Sequence, residues 1–87
     1  MKTIINWGIL PNNCIWGEKG DNSQRNIRTS KIVKLISIEP LVVETKSGTH
    51  YKLENVHPDI CKRFSEEKYK QKVIAHFSTQ PYDKFQI

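Results

Sequence analysis

The turn Lys46-Ser47-Gly48 constrains this sequence more than any other feature, because it fixes a register. A three-residue hairpin loop is usually a type I turn followed by one left-handed residue, and glycine takes that conformation at least cost. If Thr45 and Thr49 close the loop, Val43 faces Tyr51 and Leu41 faces Leu53, while Glu44 faces His50 and Val42 faces Lys52. One face then reads Leu, Val, Tyr, Leu and the other is mostly polar, the pattern of a sheet packed on one side and wetted on the other. A slip of one residue would exchange the two faces, so the pairing is strongly specified. Residues 32–53 as a whole read IVKLISIEPLVVETKSGTHYKL, two β-branched-rich runs parted by Glu39-Pro40 and then the turn and a third run. This predicts an antiparallel meander.

The rest of the chain extends that sheet. Residues 2–10 form a first strand, with Thr3, Ile5, Trp7 and Ile9 taken as its buried side, and Pro11-Asn12-Asn13 is a turn by composition. Residues 14–16 form a short second strand. Residues 17–26 (GEKGDNSQRN) lack periodicity and predict a mobile loop suited to binding. In residues 27–38, Ile32, Ile36 and Ile38 share one face while Val33 and Leu35 share the other. Apolar residues on both faces suit a strand of a closed or strongly curled sheet. Pro40 cannot donate to a ladder and marks a corner or an edge.

After Leu53 the pattern changes. His57-Pro58-Asp59 reads as a helix start and residues 59–70 have helix-favouring composition. Residues 72–78 (KVIAHFS) fit either a second helix or a closing strand, and the strand is favoured because it would remove a sheet edge. Tyr82, Phe85 and Ile87 are expected to cover one end of the core. The expected fold is thus mainly β, a small barrel of the SH3-like or OB-like kind, with one short helix in the C-terminal half.

At 87 residues the chain suits a single domain, residues 1–87, that buries only about 60–65% of its unfolded surface. Its 37% hydrophobic and 26% charged residues match neither a disordered chain nor a membrane-embedded one, and the N-terminal residues lack the apolar run of a secretory signal. A cytoplasmic location is expected, with no membrane partner. Cys14 and Cys61 are too few and too far apart for a disulfide framework or a metal motif, and are expected as buried free thiols.

The net charge of +5 is localised: residues 25–53 carry six basic against two acidic side chains, whereas residues 1–24 are balanced. Such a surface attracts nucleic acid, nucleotides or an acidic protein. There is no phosphate-binding glycine loop, no nucleophile motif and no His/Cys metal spacing, so neither an enzyme nor a cofactor is expected. The candidate ligand-binding residues are Trp7 and Trp16 near the start, Arg25 and Arg28 beside the mobile loop, and His50 and Lys52 on the wet face of the hairpin. Together they would make a platform on which a base stacks and a phosphate is neutralised.

Thr29-Ser30-Lys31-Ile32-Val33 followed by Val43-Glu44-Thr45-Lys46-Ser47-Gly48-Thr49-His50-Tyr51-Lys52-Leu53 resembles a strand-and-hairpin pattern of short phage-encoded accessory proteins of the anti-defence type. It covers about a quarter of the chain and pins down no site residues. The resemblance implies a non-enzymatic β-barrel acting against a host system. The expected ligand is an anionic one, a nucleotide signal first and single-stranded nucleic acid second. The alternative is a module that binds and blocks a host protein, with its hot spot at Trp16 and residues 17–26. A homo-oligomer is compatible with either.

Overall fold

A computed structural model describes residues 1–86. Five strands, β1 (Lys2–Ile9), β2 (Cys14–Lys19), β3 (Asn26–Ser37), β4 (Val42–Thr45) and β5 (His50–Leu53), are followed by a single helical turn, α1 (Pro58–Cys61), and a longer helix, α2 (Glu66–Thr79). Consecutive strands pair antiparallel, and β5 returns to pair parallel with β1, closing the ring in the order β1-β2-β3-β4-β5. The mainly β barrel expected from the sequence is the fold observed.

The hairpin has the register that its turn demands. Val43 pairs with Tyr51, Glu44 with His50 and Val42 with Lys52, and the Leu53 amide donates to the Leu41 carbonyl. Gly48 takes a φ of 86°, and its amide donates to the Thr45 carbonyl. Leu41, Val43, Tyr51 and Leu53 are buried in the core, as the alternation predicts. Val42, on the other side, is also buried but stands outside the core cluster.

Bulges account for most departures from the sequence-based faces. Asn6 adopts a φ of 48° in β1, where the register against β2 shifts between Ile5 and Gly8. The extra residue changes the phase of the strand. Ile4 therefore faces inward before the bulge and Trp7 and Ile9 after it, while Ile5 is only half-buried. Strand β3 carries an extra residue between Arg28 and Lys31 against β2, and again between Ile32 and Lys34 and between Leu35 and Ser37 against β4. Ile32 and Leu35 consequently both pack on the core, and Ile36 and Ile38, expected beside Ile32, are 40% and 57% exposed. Pro40 stands in the turn between β3 and β4, the expected corner.

The C-terminal third closes the barrel differently from the expectation. Residues 72–78 are helical rather than a closing strand, and the parallel β1–β5 pair leaves no edge for such a strand to cover. His57 caps α1, its Nδ1 accepting from the Asp59 amide, with Pro58 at the first helical position. The chain breaks after Cys61 and restarts at Ser65, whose hydroxyl accepts from the Lys68 amide; Glu66 and Glu67 favour the N-terminal end of α2. The restart gives α2 its own stripe, Tyr69, Val73 and Phe77, each buried. Phe85 of the tail joins them at 4% exposure, whereas Tyr82 is 89% exposed; Ile87 lies outside the described residues. Both cysteines depart from the expected buried thiols: Cys14 is half-buried, on the same face of β2 as Trp16, and Cys61 is exposed because the single turn of α1 buries no side chain. Among the described residues no helix is long and apolar enough to cross a membrane.

Candidate nucleic-acid interface

The β1 bulge separates two neighbours. Trp7 turns fully inward, its indole N–H donating to the Glu54 carbonyl, and its ring packs 5.7 Å from that of Tyr69. It belongs to the core and offers no surface to a ligand, which corrects its place among the candidate site residues. Asn6 faces the other way and donates from Nδ2 to Glu18 Oε2 at 2.9 Å. Residues 54–57 run beside Trp7: the Trp7 amide donates to the Asn55 carbonyl and the His57 amide to the Trp7 carbonyl. This brings His57 against Trp16, with ring centroids 4.8 Å apart.

Trp16 pairs across β2–β3 with Arg28, and Glu18 with Asn26. Alternation along each strand puts these four side chains on one outer face. With Asn6 and His57 they line a cleft of about 480 Å³. Trp16 is half-buried and Arg28 exposed. Because His57 Nδ1 accepts from the Asp59 amide, a neutral His57 carries its proton on Nε2, a donor left without a partner among the described residues. A cleft with an indole wall, a guanidinium and an imidazole donor can hold a planar group and an anion at once.

The cations of β3 and of the hairpin behave differently. Arg25, Arg28, Lys31 and Lys34 are all exposed, and none lies within ion-pair distance of a carboxylate among the described residues. A regular strand would send residues three apart to opposite faces. The bulges in β3 insert one residue between Arg28 and Lys31 and another before Lys34, so all three reach solvent. At ~3.3 Å per residue they stand roughly 10 Å apart along the strand. Residues 20–25, and not the whole of 17–26, form the loop that leads into this row, since β2 continues through Lys19.

His50 and Lys52 lie on β5, which pairs with β4 and β1 and not with the strands that carry Trp16 and Arg28. His50 Nε2 is 2.8 Å from Glu44 Oε1, and Lys52 Nζ is 3.0 Å from Glu54 Oε2. The expected single platform is therefore split: Trp16 and Arg28 remain together, Arg25 falls by alternation on the other side of β3 from Arg28, and the hairpin pair is engaged elsewhere. Reasoning from sequence missed Asn6, Glu18 and His57 in the cleft. For His57 the helix-start pattern was a signal, since a capping imidazole has one nitrogen left over. No protein-family model, no curated protein and no solved structure matches the chain.

Proposed function

We propose that this protein is a binding module for single-stranded nucleic acid, which follows the outer surface of β3 and places a base in the Trp16 cleft. The observation that carries this reading is the row of exposed, unpaired cations Arg28, Lys31 and Lys34 along β3, which ends beside a half-buried indole. Cations held by partner carboxylates contribute little to a polyanion, whereas unpaired ones release counterions from each phosphate they meet. A free nucleotide signal would use only the Trp16–Arg28 end, and nothing in that reading draws on Lys31 and Lys34. A short accessory protein directed against a host system would act here by capturing the strand rather than by chemistry on it.

The test is fluorescence anisotropy of a labelled ten-nucleotide strand over a salt series. Three phosphate contacts give a slope of log K against log salt of about −2, at about −0.7 per contact. An anisotropy that stays flat at low salt with both DNA and RNA strands would overturn the proposal.

For a protein-blocking role, Trp16 of the expected hot spot is half-buried and the loop beside it is polar. Residues 20–25 hold no large apolar side chain to serve as a hot spot. The exposed apolar side chains Ile36 and Ile38 lie instead by the Pro40 turn, where Ile38 borders a groove shared with Leu41 and Ile74. A stoichiometric partner lost on Ile38→Asp, with strand binding absent, would favour that role.

A further inference from the structure

Trp16 is a wall shared by two clefts. Beyond its polar side lies a second cleft of about 360 Å³, walled by Ile9, Trp16, Ile60, Phe64 and Tyr69. Arg63 and Asp59 complete the lining, and the Asp59 carboxylate is already 3.4 Å from Lys62 Nζ. We propose that this second cleft is a base-binding subsite of its own, selective for a base with an exocyclic carbonyl oxygen, so that the ligand is a strand whose adjacent bases straddle Trp16. The proposal rests on the nucleic-acid reading above.

Three observations meet at this cleft. Its walls are aromatic and aliphatic, which suits a flat apolar face. Tyr69 is 1% exposed, and its hydroxyl accepts from the Ile9 amide at 3.0 Å, while its own proton meets no acceptor among the described residues. A buried phenol proton without a partner is costly, and a ligand that supplies an acceptor removes that cost. The third is charge: the guanidinium of Arg63 lies 5.7 Å from the centre of the Phe64 ring and the ammonium of Lys72 6.0 Å from it. Cations beside the apolar cleft suit the phosphate that follows a stacked base. The two clefts open on either side of a single indole, so neighbouring bases of one strand can enter one each.

Thymine, uracil and guanine present a carbonyl oxygen where adenine presents an amino group. An amino group facing Tyr69 would leave the phenol proton unpaired, so adenine should be disfavoured. One neutral hydrogen bond corresponds to a preference of about fivefold.

Anisotropy with labelled dT10 and dA10 at low salt tests this with three proteins: the unaltered chain, Tyr69→Phe and Phe64→Ala. The expected result is a dT10 preference of about fivefold in the unaltered chain, a ratio that falls toward one in Tyr69→Phe, and several-fold weaker dT10 binding in Phe64→Ala, which leaves the Tyr69–Ile9 bond in place. Both strands binding without a preference, or a ratio unchanged in Tyr69→Phe, overturns the subsite and leaves the nucleic-acid reading standing. Neither strand binding removes that reading and the subsite with it. If Tyr69→Phe does not fold, as its melting curve will report, unchanged dT10 affinity in Phe64→Ala is the overturning result.

Discussion

Arg28 sits directly across the β2–β3 pair from Trp16, and its guanidinium has no carboxylate within ion-pair distance among the described residues. Lys52, a cation of the same formal charge on β5, is held by Glu54. The two should therefore respond differently to removal. Arg28→Ala is expected to weaken strand binding and to lower the magnitude of the salt slope by about 0.7, the share of one phosphate contact. Lys52→Ala should leave both unchanged. Anisotropy across a salt series decides the matter, and equal losses in the two variants would show that overall charge rather than the β3 row attracts the ligand.

Gly8 keeps Trp16 in place by having no side chain. A Cβ there would come within 2.5 Å of the indole Cζ2 and 2.7 Å of Ile60 Cδ1, so Gly8→Ala must displace the ring or the helical turn. Overpacking of this kind costs about 1–3 kcal/mol. The expected outcome is a lower urea midpoint together with a shifted emission spectrum, since Trp16 leaves its seat while the buried Trp7 keeps its own. A stable protein with an unaltered spectrum would mean that the indole does not rest on Gly8 as observed.

What the sequence disclosed, and what it withheld, follows range of interaction. The hairpin could be read because Gly48 fixes a local turn, and strict alternation carries the register outward from it. The faces of β1 and β3 could not, because a bulge is defined by the neighbouring strand. Asn6 gives no sign in the sequence that it will take a φ of 48° and exchange the sides of Ile4 and Ile5. The helical residues 72–78 were obscured in a similar way: Tyr69, Val73 and Phe77 make a clean stripe only once the chain has broken before Ser65. Within the site, Trp16 and Arg28 were recognisable by type. Their adjacency depended on strand order, as did the separation of His50 and Lys52. The Glu44–His50 pair, by contrast, was implicit in the hairpin register.

Asn13 anchors the C-terminal tail from the first turn. Its Nδ2 donates to the carbonyls of Pro81 and Asp83, its Oδ1 accepts from the Phe85 amide, and its backbone takes a φ of 69°. These roles can be separated. Asn13→Gly keeps the left-handed conformation and loses the side-chain bonds, whereas Asn13→Ala loses both. At about 0.5–1.5 kcal/mol per bond, the glycine variant should lose roughly 1.5–4.5 kcal/mol, and the alanine variant more. Hydrogen exchange at the Phe85 amide should rise in both. Protection retained in Asn13→Gly would show that packing on Tyr69, His76 and Phe77 holds Phe85 without the Asn13 side chain.

The Tyr69 phenol gives the fold an alkaline limit. Burial raises its pKa above the ordinary 10.0, opposed by the hydrogen bond that it accepts from the Ile9 amide. The folded chain therefore keeps a proton that the unfolded chain gives up more easily. This stabilisation is complete below the unfolded value of 10.0 and is lost as pH rises through the folded value. Tyr69→Phe is less stable at neutral pH, because the Ile9 amide loses its acceptor, at a cost of about 1–3 kcal/mol. It also lacks the titrating group. As pH rises above 10.0 the unaltered chain should lose more stability than Tyr69→Phe, so that the difference between their urea midpoints narrows. Parallel losses across that range would mean that the phenol is solvated in the folded state, and would remove the buried donor on which selectivity in the second cleft depends.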